Sequence, residues 1–239
     1  MSKKTRVLFD SIVGDSPYIE ILGEQAHHLH NVLRFKCGDQ VECISADTKR
    51  YATIIKKLDG NSLTLEIIKE LEAIKLPKII LIAALVPDTA FDWLLQKITE
   101  VGVAECYPVF AERSVIKASQ RMQTKLERWQ RICDSASRQS GSLSTKIYEP
   151  MDFKKTVCEI KADYKIIADP YGLPLQKFEN YQENAVALAI GPEGGFTEQE
   201  INYCIENDWQ ATKFYPTILR AETAAAVCSA LLINNLLNI

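Results

Sequence analysis

Two segments of the chain combine glycine, charge and a strand-to-helix transition in a way that suits a small ligand. The first is Ala189-Ile190-Gly191-Pro192-Glu193-Gly194-Gly195-Phe196, followed by Thr197-Glu198-Gln199-Glu200. Its glycines permit backbone conformations and close approaches that a Cβ would block. Thr197 and Glu200 have the spacing of a capping box that opens a helix. The turn lacks the G-K-[ST] of a triphosphate loop and the G-x-G-x-x-G of a dinucleotide fold. A tight turn with no ligand is the competing explanation. The second segment is Thr217-Ile218-Leu219-Arg220-Ala221-Glu222-Thr223-Ala224, which leads into an almost wholly apolar stretch ending at Leu237. Glu222 suits a helix N-terminus, where it complements the macrodipole. The same structural reading makes Arg220 a surface arginine, which explains that residue poorly.

The elements that position these segments follow from periodicity. Lys78–Leu85 and Val186–Ile190 are near-continuous apolar runs, the pattern of strands buried on both faces. Cys106–Phe110 and Lys165–Ala168 are further short strands. Asp88 is placed to cap a helix with apolar positions Phe91, Leu94, Leu95, Ile98 and Val101, stopped by Gly102. Gln120–Ser140 reads as a basic helix, and Glu222–Leu237 as a helix without a polar face, which must be buried in a core or at an oligomer interface. Alternating strands and helices predict a parallel sheet covered by helices. In such sheets ligands sit beyond the carboxyl ends of the strands, where the Gly191–Gly195 turn lies. Residues 1–73 have a different texture: short strands at Arg6–Asp10, Gln40–Ser45, Tyr51–Lys57 and Ser62–Ile68, a hairpin signal at Asp59-Gly60-Asn61, and one helix, Glu24–Leu33. The division expected is therefore 1–73 and 74–239, near the break that Leu76-Pro77 suggests.

The chain has 239 residues, 47% hydrophobic and 25% charged, with a net charge of −3. Its seven cysteines form no C-x-x-C pair, which favours a reducing, cytoplasmic setting over a disulfide scaffold. No stretch has the apolar length of a membrane span. His27, His28, His30 and Cys37 invite a metal reading, but no second ligand pair has a known spacing, so no metal is expected. Between Arg113 and Lys146, eight basic residues stand against Glu127 and Asp134. This is either a phosphate-binding surface or a solvated helix face. Trp93, Trp129 and Trp209, isolated on helices or nearby, suit core packing.

The two informative segments occur together with three others in register. These are His28-Leu29-His30-Asn31-Val32-Leu33-Arg34 with Gly38-Asp39, Leu95 to Val103, and Glu112-Arg113-Ser114. The ordered set resembles the RsmE family of 16S rRNA (uracil-N3) methyltransferases across nearly the whole chain. Departures fall at Arg138-Gln139-Ser140-Gly141-Ser142, where the family usually has EQSGR, at Lys146, and at Phe214-Tyr215.

The resemblance implies an α/β SPOUT domain with a deep trefoil knot, following an N-terminal β-rich, PUA-like RNA-binding barrel. It also implies S-adenosyl-L-methionine as cofactor, 16S rRNA or the small ribosomal subunit as substrate, and a homodimer. Carried over residue by residue, the cofactor positions are Ala168, Ile190, Gly191, Pro192, Gly194, Gly195, Tyr215, Ile218, Leu219, Glu222, Thr223 and Ala224. Methylating N3 of uridine requires an unpaired or flipped base. It also requires loss of the N3 proton, with stabilisation of the resulting anion. Arg220 is the candidate for that stabilisation or for gripping phosphate. Glu193 either orients the base, accepts its proton, or is a structural carboxylate. Arg34, Arg113, Arg121, Lys125, Arg128 and Arg138 are the candidate RNA contacts. Two alternatives stay open: a SPOUT enzyme acting on another RNA site, and a non-catalytic RNA-binding assembly protein.

Overall fold

In the computed structural model the chain divides into two compact units, Met1–Lys75 and Leu76–Ile239, described over residues 6–9, 13–14, 16–45, 49–72, 76–116, 122–178 and 185–237. Arg121 lies outside the described residues.

The N-terminal unit contains β1 (Arg6–Phe9), β2 (Tyr18–Leu22), α1 (Glu24–His27), β3 (Gln40–Ser45), β4 (Arg50–Asp59) and β5 (Ser62–Leu71). Their sheet order is β1-β3-β4-β5-β2. The β1–β3 pair is parallel and the others are antiparallel. The anticipated hairpin closes β4 onto β5, where the Asp59 carboxylate accepts from the Ser62 amide at 3.1 Å and its hydroxyl at 2.9 Å. Ile19, Leu29, Phe35, Val41, Ile55, Leu63 and Leu65 form the core of this unit. The expected helix Glu24–Leu33 is not uniform: beyond α1 the chain continues as a π turn, His28–Val32. The wider turn ends at Arg34, which takes a left-handed φ of 56°.

The second unit is built on a parallel sheet. Its strands are β6 (Ile79–Ala84), β7 (Glu105–Phe110), β8 (Lys146–Ile147), β9 (Met151–Asp152), β10 (Tyr164–Pro174), β11 (Val186–Ile190) and β12 (Gln210–Lys213). They run in the order β12-β10-β11-β6-β7-β8, with β9 also beside β7. The helices are α2 (Asp88–Val101), α3 (Met122–Ser140), α4 (Phe153–Glu159), α5 (Glu198–Glu206) and α6 (Ala221–Leu237). Every residue of β6 and β11 is buried. The strand period of two explains why. Ile79, Leu81 and Ala83 face one cluster with Leu94, Ile98, Trp129 and Leu232. Ile80, Ile82 and Ala84 face another with Phe153, Val157 and Cys204. At about 1.5–3 kcal/mol for each large aliphatic side chain buried, these two strands supply much of the drive to fold.

Several elements differ from the expectation. Pro87, not Asp88, is the N-cap of α2. Asp88 lies in the first helical turn, and its carboxylate pairs with Lys125 Nζ at 2.6 Å. Strands β2, β8, β9 and β12 and helix α4 were not anticipated. Asp152 starts α4 by accepting from the Lys155 amide at 3.0 Å. The divergent Arg138–Ser142 segment is a helix terminus. Gly141 takes φ 75°, and Ser142 Oγ donates to the Thr99 carbonyl at 2.6 Å.

The basic helix is also tied down. Besides Lys125–Asp88, Arg128 pairs with Asp92 of α2. The other Asp92 oxygen, Oδ1, is buried without a hydrogen-bond partner. Desolvation raises the Asp92 pKa above its ordinary 3.8, while the Arg128 charge pulls it back down. An acid whose folded pKa is raised adds stability that is complete below the unfolded value and is lost as pH rises through the folded value. Asp92→Asn should therefore melt no lower than wild type at neutral pH, with the two curves converging below pH 3.8. Thermal melts across acid to neutral pH check this; a lower Tm for the variant at neutral pH would contradict it.

Candidate functional site

Because β7, β6, β11, β10 and β12 are mutually parallel, the loops that follow them emerge along one edge of the sheet. That edge collects the segment after Phe110, the turn after Ile190, the irregularity after Ala168 and the segment between Lys213 and α6. The first two are joined by side-chain hydrogen bonds. The last two flank one another through the β10–β12 register, in which both Ala168 and Leu173 pair with Thr212. Asp169–Gly172 is thus looped out, with Tyr171 92% exposed at its tip.

The turn after β11 owes its shape to glycine. A Cβ on Gly191 would lie 3.1 Å from the Phe196 amide and ring and 3.3 Å from the Gly195 carbonyl carbon. Gly195 takes φ 68°, a left-handed conformation that is cheap only without a side chain. Its amide donates to the Pro192 carbonyl at 2.8 Å. The capping box then forms as its spacing predicts, with Thr197 accepting from the Glu200 amide and Glu200 from the Thr197 amide. Ile190 and Pro192 are buried, whereas Glu193 and Gly194 are exposed at the tip.

In the segment before α6, Tyr215 and Ile218 are 48% and 80% exposed. Leu219 is half-buried and Arg220 exposed. The Arg220 carbonyl accepts from the Ala224 amide at 2.7 Å, so Arg220 stands at the entry of α6. In the first turn of that helix Glu222, Thr223 and Ala224 are all half-buried. The Glu222 Oε2 atom is buried and has no hydrogen-bond partner. A desolvated carboxylate oxygen without a donor is costly, so Glu222 holds an open acceptor beside the exposed Arg220.

The candidate RNA contacts are dispersed. Arg113 follows β7 and donates from Nη1 to the Gly194 carbonyl at 2.8 Å, which places it on the edge. Lys125 and Arg128 have the intramolecular carboxylate partners described above. Arg138 is exposed in the last turn of α3. Arg34 is exposed in the N-terminal unit. Sequence reasoning overlooked two participants, Glu112 and the second role of Glu200. The Glu200 carboxylate accepts from the Glu112 amide at 2.8 Å, a contact across 88 residues for which the capping spacing gave no sign.

Other chemistries find little support here. Burial pushes the thiols of Cys43, Cys204 and Cys228 up to about 12 and that of Cys133 to about 11, which leaves them as un-ionised core groups. Among the described residues, no group of three or more His, Cys, Asp and Glu side chains could hold a metal ion. No helix among them is long and apolar enough to cross a membrane.

Residues 74–233 match the RNA methyltransferase domain family, and residues 21–68 match the RNA methyltransferase PUA domain. The ribosomal RNA small subunit methyltransferase E of Bacillus subtilis is 30% identical over 89% of this chain and 88% of its own length. A protein described as ribosomal RNA small subunit methyltransferase E 2, from Borreliella burgdorferi, is 32% identical over 83% of each chain. Among solved structures, a methyltransferase of Legionella pneumophila in complex with the cofactor SAM superposes with a TM-score of 0.74 at 28% identity. It covers 96% of this chain and 97% of its own. The Neisseria gonorrhoeae ribosomal RNA small subunit methyltransferase E bound to S-adenosyl methionine also gives 0.74, at 25% identity and 96% coverage of both. Matched by the family models over both units and by relatives at 30% identity or more along most of its length, the chain belongs to the ribosomal RNA small subunit methyltransferase E family.

Proposed function

We propose that this protein transfers a methyl group from S-adenosyl-L-methionine to N3 of a uridine in the 16S rRNA of the small ribosomal subunit. The observation that carries the reading is the convergence, at one sheet edge, of a glycine turn, an orphaned carboxylate and two arginines. The names of the relatives supply the ribosomal substrate.

The residues at the edge fit such a cofactor. Gly191 lets the turn fold tightly against Phe196, Gly195 leaves open space beside its backbone, and Glu222 Oε2 offers a buried acceptor to a hydroxyl or ammonium donor. Ala168, Ile190, Gly191, Pro192, Gly194, Gly195, Tyr215, Ile218, Leu219, Glu222, Thr223 and Ala224 would hold it. Bound there, the cofactor supplies an electrophilic methyl carbon on a sulfonium. The chain supplies everything else.

Uridine N3 is a poor nucleophile while protonated, so the enzyme must favour the anion that forms as the proton leaves. Arg220, exposed at the entry to α6, is suited to face the negative charge that spreads over O2 and O4. A preorganised cation in a site closed to water is the kind of group that gives large rate effects. Glu193, exposed at the tip of the glycine turn, is the candidate to accept the N3 proton or to orient the base, with a structural carboxylate as the other reading. The flipped base must also be held in line with the methyl carbon, and that positional demand supports a rigid turn over a flexible one. Arg34 and Arg138 present cations for phosphate on each of the two units, with Arg121 a further candidate. A second copy of the chain would pack on the outer side of α6, where Ala230, Asn234 and Leu237 are exposed. We also assign the trefoil knot of the family to the segments around β10, β11 and β12.

Arg220→Ala should lower turnover by at least ~100-fold, in the range seen when a single charge-stabilising group is removed. Its melting temperature and cofactor affinity should stay near wild type. Methyl-transfer assays on small subunits lacking the modification, alongside calorimetry, check both; unchanged turnover would remove Arg220 from the mechanism. Mapping modified nucleosides in 16S rRNA from cells without this protein should show loss of one N3-methyluridine. Loss at another atom or in another RNA would replace the assignment.

The left-handed Arg34 gives a separate test, since a side chain there costs about 1 kcal/mol or more. Arg34→Gly should keep or slightly raise stability while weakening RNA affinity and lowering its salt dependence. Filter binding over a salt series checks this; undiminished affinity would show that the strained residue serves the fold alone.

A further inference from the structure

The Glu200 carboxylate has more partners than a helix cap requires. It is 3% exposed, and a buried carboxylate is tolerated only when its oxygens are matched by donors. The capping box uses one oxygen, Oε2, which accepts from the Thr197 amide at 2.8 Å. The other, Oε1, accepts from the amide of Glu112 in the segment after β7, also at 2.8 Å. The Thr197 hydroxyl lies alongside, 3.2 Å from both Glu112 Oε2 and Glu200 Oε2, with one proton to donate to either. Immediately next in sequence, Arg113 reaches back to the same turn, with Nη1 on the Gly194 carbonyl at 2.8 Å. A Cβ on Gly194 would sit 3.4 Å from Arg113 Cδ and 3.6 Å from its Cβ, so the arginine stem lies against the bare glycine.

We propose that Glu200 is a positioning residue for methyl transfer. By binding the Glu112 and Thr197 amides together, it locks the Glu112–Ser114 segment to the Gly191–Phe196 turn and so fixes the Arg113 guanidinium beside the cofactor turn. With one N–H held by Gly194, the remaining donors of Arg113 are presented at the edge in a set direction. A planar cation held that way suits an RNA phosphate next to the flipped nucleotide. A group misplaced by about 1 Å can cost roughly 100-fold in rate, so a rigid clamp has kinetic value beyond stability. The role of Arg113 as an RNA contact rests on the function proposed above; the clamp itself rests only on the geometry.

The experiment uses the full chain, small ribosomal subunits lacking the modification, and four variants: Glu200→Ala, Glu200→Gln, Arg113→Ala and the double Glu200→Ala/Arg113→Ala. Losing Glu200 should lower kcat/KM for the ribosomal substrate by ~10-fold or more, with cofactor affinity changed less than ~3-fold, as expected when only position is lost. Glu200→Gln keeps one acceptor oxygen and should recover part of the loss. Because Glu200 acts through Arg113, the double variant should be no slower than Arg113→Ala alone. Additive losses would overturn the proposal, as would a Glu200→Ala defect confined to cofactor binding. Amide hydrogen exchange separates this result from the fate of the proposed function and does not need activity. The Glu112 amide should be protected in the wild type and exchange faster in Glu200→Gln and Glu200→Ala. If wild type shows no transfer to 16S rRNA, the substrate assignment fails while the clamp is still judged by exchange. An unprotected Glu112 amide in wild type would end the clamp.

Discussion

Strands β6 and β11 are buried on both faces, and this constraint organises the catalytic unit. Residues in their interiors have no access to water, so no polar chemistry can be placed along them without an uncompensated cost. Functional groups must therefore come from the segments that follow the strands. Parallel pairing sends those segments to the same edge. Ile190 ends in the core and Gly191 begins the turn; Phe110 packs against the core and Glu112 is exposed. The change from core to site takes place within one or two residues at each strand end.

An edge assembled from separate loops needs a means of holding them in register. The Gly191–Phe196 turn does this with backbone geometry: Gly191 is pressed against Phe196, and Gly195 takes the left-handed conformation that brings its amide to Pro192. Charge completes the task. Glu200 joins the turn to the segment after β7, while Glu222 keeps a buried oxygen unmatched at the start of α6. The two carboxylates illustrate opposite conditions. One has an amide on each oxygen, the arrangement we propose as a fastener. The other has one buried oxygen unmatched, a cost to the folded chain that a donor would relieve.

Much of this could be read in the sequence, for identifiable reasons. Unbroken apolar runs announced β6 and β11, and the Thr197/Glu200 spacing announced α5, because these signals are local. The Gly191–Gly195 turn was legible as a loop after a strand and Thr217–Ala224 as the lead into an apolar helix, and the family resemblance supplied the roles expected of them. What escaped was short or non-local. β12 is four residues with one buried position, and β8 and β9 are two residues each, too brief for a period to register. β2 alternates cleanly in burial, yet its pattern was passed over. The contact between Glu200 and Glu112 joins residues 88 positions apart and depends on the sheet order, which no window along the chain encodes. The placing of Asp88 as a cap illustrates a subtler miss. The residue is at the helix start as its type suggests, but Pro87 holds the cap position and the carboxylate is directed to Lys125 instead.

That last pairing bears on how a protein of net charge −3 can recognise RNA. Counted along the sequence, the charges from Arg113 to Lys146 suited either a phosphate surface or a solvated helix face. In three dimensions α2 lies beside α3 and contributes Asp88 and Asp92 against Lys125 and Arg128. Such partly exposed pairs add little stability, but they cancel much of the field that a bare basic helix would project. Attraction by a broad positive face is then weaker than the sequence suggests. Under the function proposed here, the burden falls on single arginines: Arg113, whose guanidinium is held by the Gly194 carbonyl, Arg34 on its left-handed turn, and Arg220 at the entry to α6. Recognition of this kind reads position more than charge. It suits an enzyme that must choose one nucleotide on a large, uniformly anionic substrate, where non-specific attraction to every other phosphate would compete with the target.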